Sequence, residues 1–458
     1  MLNTSLRLPI PMILAILSLN PISAQSQQLS ASVIAEETIA TCLSPNNGAG
    51  PMWCYGSPLV VRQGNEVFVS IMETGEGVEP LCNTRWRLFK RDEKGWGLVS
   101  APEEFRLREP SPLVSFEGSP LFLSITPSLE PPGTHYGPCD TQLLRFDLNK
   151  LEQVPVIEHP KWEGEPYFTD HSYRGVCSDG RNREILWMNI DAKTSIQHVS
   201  HRDSEGNWEY LEGLEFPIRS CYPQVALKDG AAHVLAIGDI VEPIKEWQEY
   251  KFEQSGRKWD YVFRRLFYSY TPNIHEASFS EPLEIDTLES TAGHITNLDL
   301  WIDPDGKAHV LYLKNTVQSE VMRDRFFPGL PILRTLEYTV LEQGKIVKRE
   351  TLAVGGEGDH EITPNYGRFH STPDGRLWAV FPGYKATESG TLARLFLMQV
   401  YPEIDREKLV EVELDPLFGG FFTATERGGS LPSWTLDLFG QFGEVLRYAQ
   451  IELKGAKD

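Results

Sequence analysis

An acid, an imidazole, a hydroxyl, a phenol and a guanidinium stand in succession at Asp170–Arg174, inside the stretch "YFTDHSYR" at 167–174. Residues of those types can hold a carboxylate and move protons. Elimination from a uronic-acid sugar needs a cation on the carboxylate, a base for the proton alpha to it, and an acid for the leaving glycosidic oxygen. Arg174 or Arg368 could hold a carboxylate in bidentate fashion. His171 or His294 could be the base, since imidazole titrates near neutrality. Tyr222 or Tyr173 could be the acid, and His370 joins the set through its neighbour Arg368. Hydrolysis would instead need two carboxylates about 5–10 Å apart. Asp170, Glu109, Asp299 and Glu73 are available for that. Tyr55, Asp170, Tyr173, Trp247, Trp259 and Tyr366 are the candidates for touching the sugar.

These residues are far apart in the chain, so a fold must bring them together. One pattern recurs: a strand-like run, a tight turn with glycine, and a second run rich in Val, Leu, Ile and Trp. It appears as "YGSPLVVRQGNEVFVSIM" at 55–72 and ends as "FFTATERGGSLPSWTLDLFG" at 421–440. The turn glycines are Gly64, Gly118, Gly180, Gly230, Gly306, Gly375 and Gly429. Such turns with β-branched and aromatic flanks signal hairpins. Each hairpin is followed by a third strand candidate, such as "TRWRLFKRD" at 84–92, and often by a fourth. Four short strands repeated seven times predict an all-β fold, a seven-bladed β-propeller of four-stranded antiparallel blades. A two-sheet sandwich accommodates seven like hairpins poorly. The stretch "SASVIAEETIA" at 30–40 is placed to supply the outer strand of the last blade.

In a propeller the innermost strands start on one face, and the connections between second and third strands return to it. Asp170–Arg174, Tyr222, His294, Asn297, Tyr366, Arg368 and His370 fall at first-strand starts. Two long connections, at 240–263 and 315–333, fall on the same face, and loops of that length are usually functional or disordered. Trp247, Tyr250, Trp259 and Tyr261 argue for an ordered lid, as sugar platforms or as its anchors. Each candidate has a structural counterpart. A histidine at a strand end can be a hydrogen-bonded framework residue, Arg368 can tie blades together, and Tyr222, followed by Pro223, can serve packing. Asp239 and Asp260 read as loop caps.

The segments "SHRDSEGNW" at 200–208 and "KRDEKGW" at 90–96 resemble degraded Asp-box turns. With the propeller pattern, they make the chain resemble secreted propellers of the sialidase, BNR-repeat and ulvan-lyase type. The resemblance implies a carbohydrate-active protein, although the arginine-containing "RIP" motif of sialidases is absent. A sialidase-like variant would use Arg174, Arg368 and a third arginine, Arg85 or Arg264, with Tyr222 or Tyr366 as nucleophile. The alternative in a different class is a non-catalytic propeller that binds glycan or protein.

The N-terminus, "MLNTSLRLPIPMILAILSLNPISAQSQQ", has one cation, a short apolar stretch and a small-residue site at Ala24. That reads as a secretory signal peptide over 1–24, ahead of one domain over 25–458, and implies a secreted or periplasmic protein. Six cysteines fit an oxidising compartment and allow up to three disulfides. The net charge of −21 argues against nucleic acid and anionic membranes as partners and leaves a polysaccharide or glycan as the expected one, met by a monomer. No HExxH, EF-hand or paired-cysteine motif is present. No cofactor or metal is expected, with a calcium ion on loop carboxylates left open.

Overall fold

The computed structural model describes residues 29–53, 57–134, 136–171, 173–258, 260–387 and 390–454. It is a seven-bladed β-propeller. Each of the seven expected turn glycines lies between the first two strands of a blade. Innermost strands are Val60–Gln63, Leu113–Ser115, Gly175–Asp179, Ser220–Lys228, His294–Ile302, Arg368–Ser371 and Phe421–Thr423, in blades 1 to 7. Blade 6 has an extra inner strand, Ile362–Pro364, paired with Gly383–Lys385. Blade 7 joins both ends of the chain: Ser30–Thr41 pairs antiparallel with Val445–Lys454 as the outer strand.

The core is distributed between the blades. In a strand successive side chains point to opposite faces. In blade 1, Val67, Val69 and Ile71 therefore pack toward blade 7, while Phe68 packs toward blade 2. The same alternation sends Val176 toward blade 2 and Cys177 toward blade 4. Both faces of each inner hairpin are buried, which explains why the second strands read as nearly continuous apolar runs. Seven such apolar clusters, one per blade junction, close the ring. Polar ties add to them, as where Arg62 of blade 1 forks onto Asp437 of blade 7 at 2.6 Å through Nε and Nη2.

The long loop of blade 7 crosses the central channel. Its turn Glu426–Gly428 reaches the inner strands of blades 2, 3 and 4. Arg427 bonds Asp299 of blade 5. A Cβ at Gly429 would lie 1.9 Å from the Ser115 carbonyl oxygen, and φ is +88° there, so only glycine fits.

The two insertions pack against each other. Helix α1 (Lys245–Ser255) stands between the short paired strands Ile240–Val241 and Tyr261–Val262. Helix α2 (Glu320–Phe326) packs against it. The five described cysteines, Cys42, Cys82, Cys139, Cys177 and Cys221, carry free thiols, and Cys54 lies outside the described residues.

Candidate functional site

Glu109 precedes the inner strand of blade 2, and His171 and Tyr173 precede that of blade 3. The imidazole joins the other two. His171 Nδ1 meets the Glu109 carboxylate and Nε2 meets the Tyr173 hydroxyl. An ionised carboxylate only accepts, so Nδ1 carries the proton and Nε2 accepts from the phenol. The result is a carboxylate–imidazole–phenol relay ordered like a hydrolase triad. Burial opposes charge on Glu109, but the His171 imidazole, with Arg108 and Arg174, holds its carboxyl below the usual range. Burial, then Asp239, raises Tyr173, so its hydroxyl is protonated at neutral pH.

Blade 4 brings the other half. Tyr222 sets its ring edge-on to Tyr173, centroids 4.7 Å apart. Burial, then Tyr173, pushes the Tyr222 phenol upward. Arg219 lies over the Tyr173 ring at 5.0 Å, interacts with its hydroxyl, and bonds Asp239 at 2.7 Å. The Arg219 side chain is 28% exposed. Trp53 stands edge-on to Tyr222 at 6.2 Å. Blades 3 and 4 approach closely because position 175 is glycine: a Cβ there would lie 2.6 Å from the Pro223 carbonyl oxygen. Both tyrosines have positive φ, 29° for Tyr173 and 51° for Tyr222.

The expected residues divide into those that converge and those that do not. His171, Tyr173 and Tyr222 come together. His294 is one ring removed, with Phe263 between it and Tyr222. Burial, with Arg264 and Arg334 nearby, lowers its pKa to about 4. Asp170 is buried beneath the relay, bonded to Arg108 at 3.2 Å. Arg174 is buried. Its guanidinium donates to Thr126 Oγ1 at 2.6 Å and the Pro110 carbonyl at 2.9 Å, which makes it a strut between blades 2 and 3.

Tyr366, Arg368 and His370 lie deeper than expected, because blade 6 begins at Ile362 and its inner strand breaks over 365–367. Arg368 is buried and donates to the Leu298 and Phe421 carbonyls and to the Tyr366 hydroxyl. His370 donates to the Ser433 carbonyl at 2.9 Å, and burial lowers its pKa to about 4. Trp247 packs the two insertions together, with Arg264 over its ring at 5.1 Å and Phe327 edge-on at 5.4 Å. Tyr55 and Trp259 lie outside the described residues. Of the carboxylates, Asp299 is held by Arg427 and Glu73 by Arg85 and Arg87.

Arg219 and Trp53 were not singled out from the sequence, and Asp239 was read there only as a loop cap. Arg219 had a usable signal, since "RSCYPQV" at 219–225 enters an inner strand as "HSYRGV" at 171–176 does. A cavity of about 400 Å³ opens at the opposite end of the inner strands, among Asp179, Lys228, Trp301, His370 and Arg427. It shares no residue with the relay, and chemistry rather than size assigns the site to the other face.

No protein-family sequence model matches the chain, and no curated protein is similar to it in sequence. It is similar to a solved α-L-arabinofuranosidase of Fusarium graminearum in complex with arabinobiose, with TM-score 0.43, 9% identity, and coverage of 92% of this chain and 97% of that one. It is also similar to a Penicillium chrysogenum α-L-arabinanase complexed with arabinobiose, with TM-score 0.41, 11% identity and coverage of 92% and 98%. A third is Trypanosoma rangeli sialidase in complex with sialic acid, with TM-score 0.42, 12% identity and coverage of 82% of this chain and 59% of that one.

Proposed function

We propose that the chain is an exported carbohydrate-active enzyme that cleaves an acidic, uronate-containing polysaccharide by β-elimination. The observation that carries this is the Glu109–His171–Tyr173 relay beside a partly exposed arginine, Arg219. Arg219 neutralises the uronate carboxylate and so acidifies the proton alpha to it. The Tyr173 oxygen takes that proton as its own passes to His171 Nε2, and Glu109 stabilises the imidazolium that forms. Tyr222, kept protonated by burial, protonates the leaving glycosidic oxygen.

A second reading rests on Asp239, which lies at the same phenol. A sialidase-like hydrolase would use Tyr173 as nucleophile, activated by His171, with the Asp239 carboxylate, paired with Arg219, facing the positive charge that develops on the sugar and Tyr222 as acid. One assay separates the two. The protein is incubated with uronate- and sialate-containing polysaccharides, following the ultraviolet absorbance of unsaturated uronyl ends together with reducing ends. Both signals rise for the lyase. Reducing ends alone mean hydrolysis. Glycan binding with neither signal overturns both readings and leaves a binding propeller.

A further inference from the structure

Three side chains outside the relay converge at the opposite end of the ring, where blade 3 meets blade 4. Glu184 opens the second strand of blade 3 (Glu184–Ile190), and His201 lies on the third (Gln197–Arg202). His275 lies on the loop that follows Arg265–Thr271 in blade 4. One donor atom from each lies within 4.8 Å of the others. His201 Nε2 is 4.0 Å from Glu184 Oε2, and the two imidazole centroids are 5.0 Å apart.

His201 is 0% exposed, yet among the described residues its Nε2 has no hydrogen-bond partner. A buried ring nitrogen ordinarily has one. Its Nδ1 lies 3.0 Å from Glu209 Oε1, which is also 3.5 Å from His275 Nδ1. Because that carboxylate accepts, Nδ1 carries the proton and the Nε2 lone pair is left available to a ligand on the Glu184 side. A carboxylate that fixes the tautomer of an imidazole in this way is the usual outer partner of a metal-bound histidine. Asp179, Asp203 and Asp229 lie close enough to Glu184 to act on its charge, so the local field favours a cation.

We propose that Glu184, His201 and His275 bind one Zn²⁺ ion that ties blade 3 to blade 4, with Glu209 as a positioning residue. Two imidazoles and a carboxylate suit zinc, which completes a tetrahedron with water. Calcium and magnesium take oxygen ligands instead. Donors around tetrahedral zinc stand roughly 3.4 Å apart, so the His201–Glu184 pair has only to close slightly. Separated along the chain and drawn from two blades, the ligands form no contiguous motif.

The test uses the purified protein, stripped with a chelator and dialysed against Zn²⁺. One zinc per chain is expected by elemental analysis. The thermal midpoint should rise with Zn²⁺ and not with Mg²⁺ or Ca²⁺. His275→Gln, on an exposed loop, is expected to lower zinc affinity more than about tenfold while leaving the metal-free midpoint unchanged. Glu209→Gln should weaken binding about ten- to a hundredfold, and Glu184→Gln gives an independent check on the ligand set. Absence of bound zinc in the unsubstituted protein overturns the proposal. So does equal zinc affinity in the unsubstituted, His275→Gln and Glu184→Gln proteins.

Discussion

Tyr173 and Tyr222 occupy backbone angles that aromatic residues rarely adopt, at a cost of about 1–3 kcal/mol each. That strain turns two adjacent phenols toward each other at the mouth, and the packed blades on either side maintain it. Under the proposed mechanism, Tyr173→Phe and Glu109→Gln should each reduce kcat on the order of 10²- to 10⁴-fold. KM and the unfolding midpoint should change little, as steady-state kinetics and thermal denaturation would report. Arg368→Met should behave in the opposite way. It removes a buried guanidinium from the Leu298 and Phe421 carbonyls and should destabilise by about 3 kcal/mol or more. The rate per folded molecule should be unchanged. Denaturant titration beside an active-fraction assay separates the two classes.

The strand Ser30–Thr41 closes the ring by pairing with Val445–Lys454. Without it, the latter becomes an unpaired edge, the type of surface that templates aggregation. A chain beginning at Cys42 is expected to lose cooperative unfolding and to scatter light at micromolar concentration. A synthetic peptide of residues 29–41 added in trans should restore part of both properties. Full stability in the truncated chain would show that blade 7 needs only three strands. This closure was legible in the sequence because alternation and turn glycines are local signals. Gly64, Gly230 and Gly306 each sit in a two-strand hairpin that a short window reveals. The break in blade 6 was less legible, since Pro364 and Gly367 interrupt a run that otherwise looks like one strand. Tyr366, Arg368 and His370 were therefore expected at the rim and lie in the channel. The pairing of His171 with Glu109 spans 62 positions and depends on how two blades abut, which no window contains.

Acid should weaken the whole molecule. Burial lowers the pKa of His370 to about 4 and of His233 to about 3. The unfolded chain, whose histidines titrate near 6.5, therefore binds protons that the native state refuses. The stabilisation is complete above about pH 6.5 and is lost progressively as pH falls through this window, on the order of 3 kcal/mol for His370 by pH 4. Denaturant midpoints measured from pH 7 to pH 4 should fall, and His370→Gln should flatten that slope. A midpoint independent of pH would mean that these imidazoles take up protons in the native state just as they do in the unfolded chain. The loop that carries Arg427 and Gly429 has a further effect. Because it spans the channel and wedges between Asp299 and Ser115, the ring is a cup with a floor. A glycan cannot thread through it. Under the proposed function, polymer would lie across the rim with both ends outside, interior linkages would be presented as readily as terminal ones, and fragments would leave by the opening they entered.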